Sequence, residues 1–323
     1  MIFLSVMLSF LISSFTLWVL LSPGLRQFGL DYPNHRSMHT SPIPRTGGLS
    51  VLLGVATTFP FLSGEERYFL ILMLVLAVVS FLDDLYNLKI SLRIFIHIMV
   101  AIIFMLSLEH DLGVVMAIVV GIYLVWHTNL YNFMDGIDGL AGAMACVGFG
   151  TLGGMALNHE SYSLAVLSLS LAAAVIPFLI FNFSPAKIFM GDSGSVSLGF
   201  LSGAIGIYGW LQGIWSLFFP IVLFLPFLSD ATFTILKRLA QKKNIFLPHK
   251  EHYYQKMIRH GFSVKRVWLG FFLVMLSCAY LAVIIESLTL LVQMMIILPL
   301  FVVFIFIAIF LDKVFSRSEI RST

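Results

Sequence analysis

Charged residues are scarce in this chain. Only 11% of its 323 residues are Asp, Glu, Lys or Arg, and the mean hydropathy is +1.00. Soluble domains carry about 25% charged residues, so the composition excludes an ordinary soluble protein and indicates an integral membrane protein. No basic stretch suits nucleic acid, and we expect no nucleic-acid partner.

Cysteine is almost absent as well. The two cysteines, Cys146 and Cys278, lie inside apolar runs without the spacing of a metal site, so no disulfide framework is expected. Repeats of 20–50 residues and low-complexity linkers are missing too. The sequence therefore predicts one integral membrane domain over residues 1–323.

The N-terminal apolar run, residues 2–22, has no Lys or Arg before it; the first is Arg26. A cleaved signal peptide begins with a positive segment. We therefore expect residues 2–22 to be a retained membrane span whose N-terminus lies outside.

Long apolar runs are abundant. A membrane-spanning helix needs about 20 apolar residues, and eleven stretches approach that length. The sequence therefore predicts an all-α, polytopic helical bundle. The predicted spans are 2–22, 47–63, 68–82, 92–108, 113–129, 138–157, 161–181, 194–209, 211–236, 267–287 and 289–311.

The distribution of basic residues predicts the orientation of the bundle. With eleven spans and the N-terminus outside, 18 of the 19 Lys and Arg residues lie on the cytoplasmic side, and only Arg67 lies outside. Cytoplasmic loops of membrane proteins are rich in Lys and Arg. We therefore expect a cytoplasmic C-terminus and an active-site cleft that opens to the cytoplasm.

The first candidate site is a pair of carboxylates, Asp83 and Asp84, at the end of an apolar span. Acids at a helix C-terminus oppose the helix dipole, and adjacent carboxylates repel each other. The pair is therefore more typical of a catalytic acid or base than of a solvated helix end. Lys89 and Arg93 follow closely enough to offset the charge and to hold an acceptor phosphate.

The second candidate site lies in 129–142, where Asp135-Gly136 and Asp138-Gly139 follow two asparagines. A turn with a helix cap explains one of these acids well and two of them poorly. Acids at a membrane edge are usually functional. We place Asp135 near a bound phosphate group.

The third candidate site is Gly191-Asp192-Ser193-Gly194-Ser195, just before another span. Backbone N–H groups at a helix start suit phosphate, and Asp192 offers a hard oxygen ligand for Mg²⁺. A simple helix cap is the alternative.

Two loops carry histidines and basic residues. His249 and His252 stand in the most basic loop, where they suit a diphosphate; a zinc site or contact with anionic lipid is the alternative. Residues 31–48 form a loop rich in Pro and Gly that includes His35, Arg36, His39 and Arg45. An ordinary connector is its alternative.

Two polar residues inside spans need separate interpretations. His97 is alone on an apolar span, which favours a packing role. Asp230 lies near the inner end of a span, where an ion pair with Lys237 or Arg238 is expected.

Together, the acids, the glycine-rich helix start and the basic loop indicate phosphoryl transfer, which depends on positioning and charge neutralisation. All of them lie at one membrane face, so we expect at least one lipid substrate. These residues do not by themselves identify the sugar or the nucleotide.

The residues from Asp31 to His252 resemble those of the polyprenyl-phosphate N-acetylhexosamine-1-phosphate transferases. The segments 129–142 and 182–195 carry the most specific similarity. The resemblance implies a helical bundle at the bacterial inner membrane, bound Mg²⁺ (with Mn²⁺ as a substitute), a UDP-N-acetylhexosamine donor, undecaprenyl phosphate as acceptor and UMP as product. A homodimer is an open option.

The resemblance also implies roles for individual residues. Asp83 corresponds to a proposed general base and Asp84 to its partner. Asn132 and Asp192 correspond to metal ligands. The expected uridine pocket contains Asp138, Asn182 and Phe189, and the expected diphosphate contacts are Arg45, His249 and His252.

One departure from the family pattern is clear: Tyr253, Tyr254 and Gln255 follow His252 where further histidines are usual. Residues 31–48 are most similar to transferases that initiate O-antigen synthesis with UDP-linked GlcNAc or 6-deoxy sugars. The peptidoglycan enzyme phospho-MurNAc-pentapeptide translocase is the alternative within the family. A secondary transporter is the alternative from another class; its site is expected near the membrane midplane.

Overall fold

The computed structural model describes residues 1–33, 41–108, 110, 112–245, 247 and 249–321, with the side chains of 316–321 excepted. His35, Arg36 and His39 of the loop discussed above lie outside the described residues.

The described chain is almost entirely helical, and two short strands interrupt it near the N-terminus. The helices are α1 (Ile2–Leu20), α2 (Gly47–Ala56), α3 (Glu66–Tyr86), α4 (Ile90–Ser107), α5 (Gly113–Phe133), α6 (Leu140–Asn158), α7 (Tyr162–Asn182), α8 (Gly191–Leu211), α9 (Phe218–Leu223), α10 (Leu225–Ala240), α11 (Tyr253–Arg259), α12 (Val264–Glu286) and α13 (Leu290–Arg321). The strands are β1 (Leu30–Asp31) and β2 (Ile43–Pro44), and a 3-10 turn covers Phe59–Phe61.

Nine of the described helices are long and apolar enough to cross a membrane: α1, α3 to α8, α12 and α13. Their outward faces carry large apolar side chains, as a lipid-facing surface requires. The prediction of an all-α, multi-pass membrane protein is confirmed. The count of eleven spans and their orientation stay predictions.

Two predicted spans are not single long helices. Residues 47–63 form the short helix α2 and the 3-10 turn, and residues 211–236 are divided between α9 and α10, which meet at Phe224. Pro226 stands at the start of α10, where its missing N–H costs little. Because of this break, α10 is a separate helix, which contains Asp230 and leads into the basic loop.

Helix α8 is the centre of the bundle, and nearly all its residues are buried. It packs against α3 and α5 on two sides, and against α2 and α6. Small residues permit this close approach, as is usual between membrane helices. At Gly199, an added Cβ atom would lie 2.7 Å from the Thr128 carbonyl oxygen of α5.

Helix α1 packs along α7 and α2 through a buried serine stripe. Ser5 Oγ lies 3.0 Å from Ser170 Oγ, and Ser13 donates to the Ala174 carbonyl at 2.6 Å. Interhelical hydrogen bonds of this kind hold membrane helices together where the surrounding lipid is as apolar as the core.

Candidate active site

Four helix ends meet at one edge of the bundle, because α3 and α5 end there while α4 and α8 begin there. Each end carries one or more predicted site residues. Asp83 and Asp84 lie in the last turn of α3 and Arg93 in the first turn of α4. Asn132 lies in the last turn of α5, and Asp192 is the second residue of α8.

Arg93 bridges two of these helix ends. Its Nη1 lies 2.8 Å from Asp83 Oδ2, and its Nη2 lies 3.3 Å from Asp192 Oδ2. The planar guanidinium presents several N–H groups in a fixed arrangement, which suits two carboxylates at once. Arg93 therefore fixes the spacing of Asp83 and Asp192, and we expect it to be displaced or shared when a phosphate binds.

Asp83 also closes helix α3. Its Oδ1 accepts a hydrogen bond from Leu88 N at 2.7 Å, and its carbonyl oxygen accepts one from Asn87 N at 2.8 Å. Asn87 adopts a left-handed conformation with φ +51°, which Asn tolerates at a helix end. With Arg93 on the other oxygen, both carboxylate oxygens of Asp83 have partners.

Asp84 faces a different set of groups. Its Oδ2 accepts a hydrogen bond from Asp192 N at 3.1 Å, at the start of α8. Its Oδ1 lies 3.9 Å from Arg45 Nη1, while Arg45 Nη2 pairs with Asp31 at 2.7 Å. The pairing of β1 with β2 brings Asp31 and Arg45 together. The structure thus joins the two predicted catalytic aspartates to the loop that carries Arg45.

Backbone hydrogen bonds fix that loop against the glycine-rich segment. Gly47 N and Gly48 N donate to the carbonyl oxygens of Phe189 and Met190, both at 2.8 Å. An added Cβ atom on Gly48 would lie 2.5 Å from Gly194 Cα, and Gly191 has φ +73°. Glycine is therefore required for this close approach. These glycines bring the starts of α2 and α8 together. Phosphate binding by the segment 191–195 stays a prediction.

A surplus of negative charge surrounds this point. Asp83, Asp84, Asp135 and Asp192 face the two arginines, Arg45 and Arg93, one of which also pairs with Asp31. The pKa of Asp135 is raised well above its usual value because of burial, and then because of the negative charges of Asp192 and Asp84.

The donor set fits a magnesium ion. Asn132 Oδ1 accepts a hydrogen bond from Ser195 Oγ at 3.0 Å, and the Asn132 side chain lies beside Asp192. Carboxylate and amide oxygens are the ligands that Mg²⁺ prefers, and one or two of them suffice when substrate phosphates complete its shell. Asp192 and Asn132 would hold the ion here.

The predicted uridine-pocket residues connect the two polar loops. Asn182 accepts from Gly139 N and donates to the Ile188 carbonyl, both at 2.9 Å, and is 3% exposed. Asp138 Oδ2 accepts from Ala186 N at 3.1 Å. The Asn182 amide is therefore used within the protein, and Phe189 is partly exposed. Their binding of a nucleotide stays a prediction.

The two predicted histidines of the basic loop stack on each other, with ring centroids 4.9 Å apart. Burial, and then the electrostatic effect of the neighbouring His252 and Arg238, lower the pKa of His249 to about 4. His249 is therefore neutral at pH 7 in the absence of a ligand. Lys89, by contrast, is exposed at the start of α4.

A large cavity begins at this polar edge and runs between α4 and α5. Its volume is about 1080 Å³. Arg93, Asn132, Asp135, His249 and His252 line its polar end, and apolar side chains of α4 and α5 line the rest, as far as Leu106 and Val114. From Ile90 to Leu106, a helix rises about 24 Å. The cavity thus joins a polar end to a long apolar groove.

His97 has a polar partner on the wall of this cavity. It is 5% exposed, and its Nδ1 lies 3.2 Å from Asn129 Nδ2. Asn129 also donates to the Val125 carbonyl at 2.7 Å. The packing role predicted for His97 therefore includes the orientation of Asn129, which lines the cavity.

The predicted ion pair of Asp230 with Lys237 or Arg238 is wrong. Lys237 pairs with Asp312 at 2.6 Å, and Arg238 pairs with Glu251 at 2.5 Å. Asp230 instead accepts hydrogen bonds from the backbone of α11, a helix that the sequence interpretation missed. The residues Tyr253-Tyr254-Gln255, where the sequence departs from the family pattern, begin that helix.

Comparison with known proteins shows the family of this chain. The model of glycosyl transferase family 4 matches residues 67–210. A *Yersinia pestis* protein named undecaprenyl-phosphate alpha-N-acetylglucosaminyl 1-phosphate transferase is 30% identical, over 85% of this chain and 81% of its own length. The chain belongs to glycosyl transferase family 4.

Two further relatives have similar names. A *Bacillus subtilis* protein called probable undecaprenyl-phosphate N-acetylglucosaminyl 1-phosphate transferase is 29% identical over 94% of this chain and 89% of its own length. The *Escherichia coli* K12 protein named undecaprenyl-phosphate alpha-N-acetylglucosaminyl 1-phosphate transferase is 28% identical over 78% and 74%. The family resemblance inferred from residues 129–142 and 182–195 is confirmed.

Proposed function

We propose that this protein transfers an N-acetylhexosamine-1-phosphate from a UDP-sugar to undecaprenyl phosphate and releases UMP. The observation that carries the proposal is the cavity, whose end with Arg93, Asn132 and Asp135 suits phosphates and whose apolar groove suits a polyprenyl chain. The relatives' names supply the substrate class, with GlcNAc as the first donor to test. The bacterial inner membrane is the proposed location, and initiation of O-antigen or a related polysaccharide is the proposed role.

The reaction follows from which groups converge. A phosphate oxygen of the lipid attacks the sugar-side phosphorus of the donor, a new P–O bond forms, and the bond to the UMP oxygen breaks. Arg45 and Arg93 are placed to neutralise charge on the phosphates. A proton still on the lipid phosphate passes to a carboxylate oxygen of Asp83 or Asp84, and Asp84 has the weaker contacts with cations.

Magnesium belongs to the same proposal. When it is bound, the ion stabilises negative charge that develops on the transferring and leaving phosphates. The residues of this chain then have two tasks. Asp192 and Asn132 hold the ion, and Arg93 keeps Asp192 and Asp83 at a fixed spacing until the substrate phosphates enter.

The groove supports the lipid substrate in particular. Its apolar walls, formed by α4 and α5, favour a hydrocarbon chain over water. A secondary transporter would place its binding site near the midplane, between repeats, whereas the charged groups here lie at the helix ends.

The experiment is a reconstituted transfer assay. The purified chain, in vesicles that contain undecaprenyl phosphate, is incubated with Mg²⁺ and a panel of radiolabelled UDP-N-acetylhexosamines. We expect organic-soluble label with one or a few donors, and at least tenfold slower labelling with the Asp192→Asn variant. Absence of lipid-linked product with every UDP-N-acetylhexosamine would contradict the proposal.

A further inference from the structure

Asp230 occupies an unusual position for a carboxylate. It lies on α10, is 5% exposed, and accepts hydrogen bonds from two successive backbone N–H groups of α11. Tyr253 N lies 2.9 Å from its Oδ1, and Tyr254 N lies 3.1 Å from its Oδ2. A carboxylate at a helix N-terminus is stabilised by the unpaired N–H groups and by the helix dipole. Asp230 therefore anchors the start of α11.

The same carboxylate faces the side chain of His252, the residue just before α11. His252 Nδ1 lies 3.3 Å from Asp230 Oδ1, at ion-pair distance although without hydrogen-bond geometry. The Nδ1 atom is shielded from solvent, yet the residue lines the cavity. Of the two ring nitrogens, Nε2 is therefore the one left for a ligand in the cavity.

The other nearby cations have their own partners. Lys237 pairs with Asp312, and Arg238 pairs with Glu251. The His252 ring is also confined by stacking, with His249 at 4.9 Å and Tyr254 at 5.8 Å between ring centroids. A buried carboxylate beside one imidazole nitrogen holds that edge of the ring in place and leaves the other nitrogen for a ligand.

Helix α11 also touches the loop that carries Asp135. Tyr254 Oη donates to the Phe133 carbonyl at 2.9 Å. A Cβ atom added to Gly136 would lie 2.0 Å from Tyr254 Oη. This contact holds α11 against that loop independently of Asp230.

We propose that Asp230 is a positioning residue that acts through His252. It holds the start of α11 and the Nδ1 edge of His252, so that the opposite edge faces the diphosphate of the donor. The inference rests on the proposed function, since the diphosphate is the ligand that the polar end of the cavity would receive. Asp230 itself touches no substrate.

The test is a double-mutant cycle on donor binding. Asp230→Asn keeps the shape of the side chain, but its amide group cannot accept the second backbone N–H or face a protonated Nδ1. We expect the Kd for UDP-GlcNAc, measured by calorimetry without lipid acceptor, to rise roughly tenfold. In a His252→Gln background, the same substitution should change the Kd by less than about twofold, because coupled residues are not additive.

Asp312→Asn is the matched control. Asp312 holds the same helix through Tyr253 and Lys256, at 3.1 and 3.2 Å. We expect this variant to lower the melting temperature while the Kd for UDP-GlcNAc stays within about twofold of wild type, since its partners Lys237, Tyr253 and Lys256 are not among the residues that line the cavity. If Asp230→Asn does not accumulate in folded form, Asp230→Glu replaces it in the cycle. We again expect the substitution to change the Kd less in the His252→Gln background than in wild type.

Three results would overturn the role of Asp230: an unchanged Kd in Asp230→Asn, an equal factor in both backgrounds, or an equal effect of Asp312→Asn on the Kd. The wild-type assay separates this claim from the proposed function. Lack of wild-type transfer contradicts the function. Wild-type transfer together with any of the three results contradicts only the positioning role.

Discussion

Arg93 Nη1 lies 2.8 Å from Asp83 Oδ2, although Asp83 ends α3 and Arg93 begins α4. The same guanidinium reaches Asp192 on α8. One side chain thus joins three helix ends at the point where substrate phosphates are expected. Substitution of Arg93 should therefore show how much these contacts contribute to transfer activity.

Substitution of Arg93 should impair transfer more than stability. Arg93→Lys keeps the charge, but a single ammonium cannot contact two carboxylates with the geometry of a guanidinium. We expect Arg93→Lys to lose about tenfold in kcat/KM, and Arg93→Gln about a hundredfold, by analogy with other residues that hold metal ligands in place. Kinetic assays with both substrates varied would measure this. Exposed Lys265, in the first turn of α12, offers the control Lys265→Gln. Equal activity of Arg93→Gln and that control would contradict the role of Arg93.

Asp192 should determine the metal requirement. We expect Asp192→Asn to raise the Mg²⁺ concentration for half-maximal activity and to lower the rate by at least tenfold, since a neutral amide binds the ion more weakly than a carboxylate. The measurement is a Mg²⁺ titration of wild type and variant. A variant with wild-type rate and an unchanged titration curve would show that Asp192 is not a ligand.

The close approach of Gly48 to Gly194 should tolerate no side chain. A Cβ atom on Gly48 would lie 2.5 and 2.6 Å from backbone atoms of Gly194. Gly48→Ala must therefore push the starts of α2 and α8 apart. Overpacking of this kind costs about 1–3 kcal/mol, and we expect a lower melting temperature together with loss of transfer activity.

Gly150→Ala in α6 is the control for that substitution, because nothing lies within 4 Å of its Cβ position. Ala favours a helix over Gly by about 1 kcal/mol, so the control should be neutral or stabilising. A Gly48→Ala variant that melts and reacts like Gly150→Ala would contradict the described contact.

His249 should contribute to the pH dependence of stability. Its pKa in the folded protein is about 4 against an ordinary value of 6.5, because burial disfavours the charged ring. Between these two values the unfolded chain binds a proton that the folded chain does not. The free energy of unfolding therefore falls as the pH drops from 6.5 toward 4.

The measurement compares melting temperatures at pH 5 and pH 7. We expect the decrease at pH 5 to be smaller in His249→Gln than in wild type. An identical decrease in both proteins would mean that His249 is not held neutral.

The route of transfer can be separated from the identity of the base. In the direct route, labelled UMP does not exchange into UDP-sugar when the lipid is absent. A covalent phospho-sugar on an aspartate would permit that exchange. We expect no lipid-independent exchange in wild type. Exchange that disappears in Asp83→Asn would replace the direct mechanism while keeping Asp83 essential.

The sequence predicted the helical class and the polar edge of this fold because both depend on local patterns. Apolar runs of sufficient length require helices in a membrane, and acids at the ends of such runs must lie together when the connections are short. Asp83, Asp84, Asn132 and Asp192 met for that reason.

The remaining contacts depend on long-range packing, which periodicity does not reveal. Asp230 has two cations about two turns further along α10, yet it accepts a hydrogen bond from Tyr253 N at the start of α11. Asn182 was expected in the nucleotide pocket, but its amide holds Gly139 and Ile188. In both cases the partner is a backbone group, and the spacing of side chains along the sequence cannot predict a contact with a backbone group.

The most direct test of the central claim follows the fate of the sugar-side phosphate. UDP-GlcNAc labelled with ³²P at that phosphate is incubated with the reconstituted protein, Mg²⁺ and undecaprenyl phosphate, and the lipid and aqueous phases are counted. With a donor that the protein accepts, transfer of a sugar-1-phosphate predicts that the label enters the lipid phase in step with release of unlabelled UMP. Label that stays in the aqueous phase as UDP, while the sugar enters the lipid, would contradict the account.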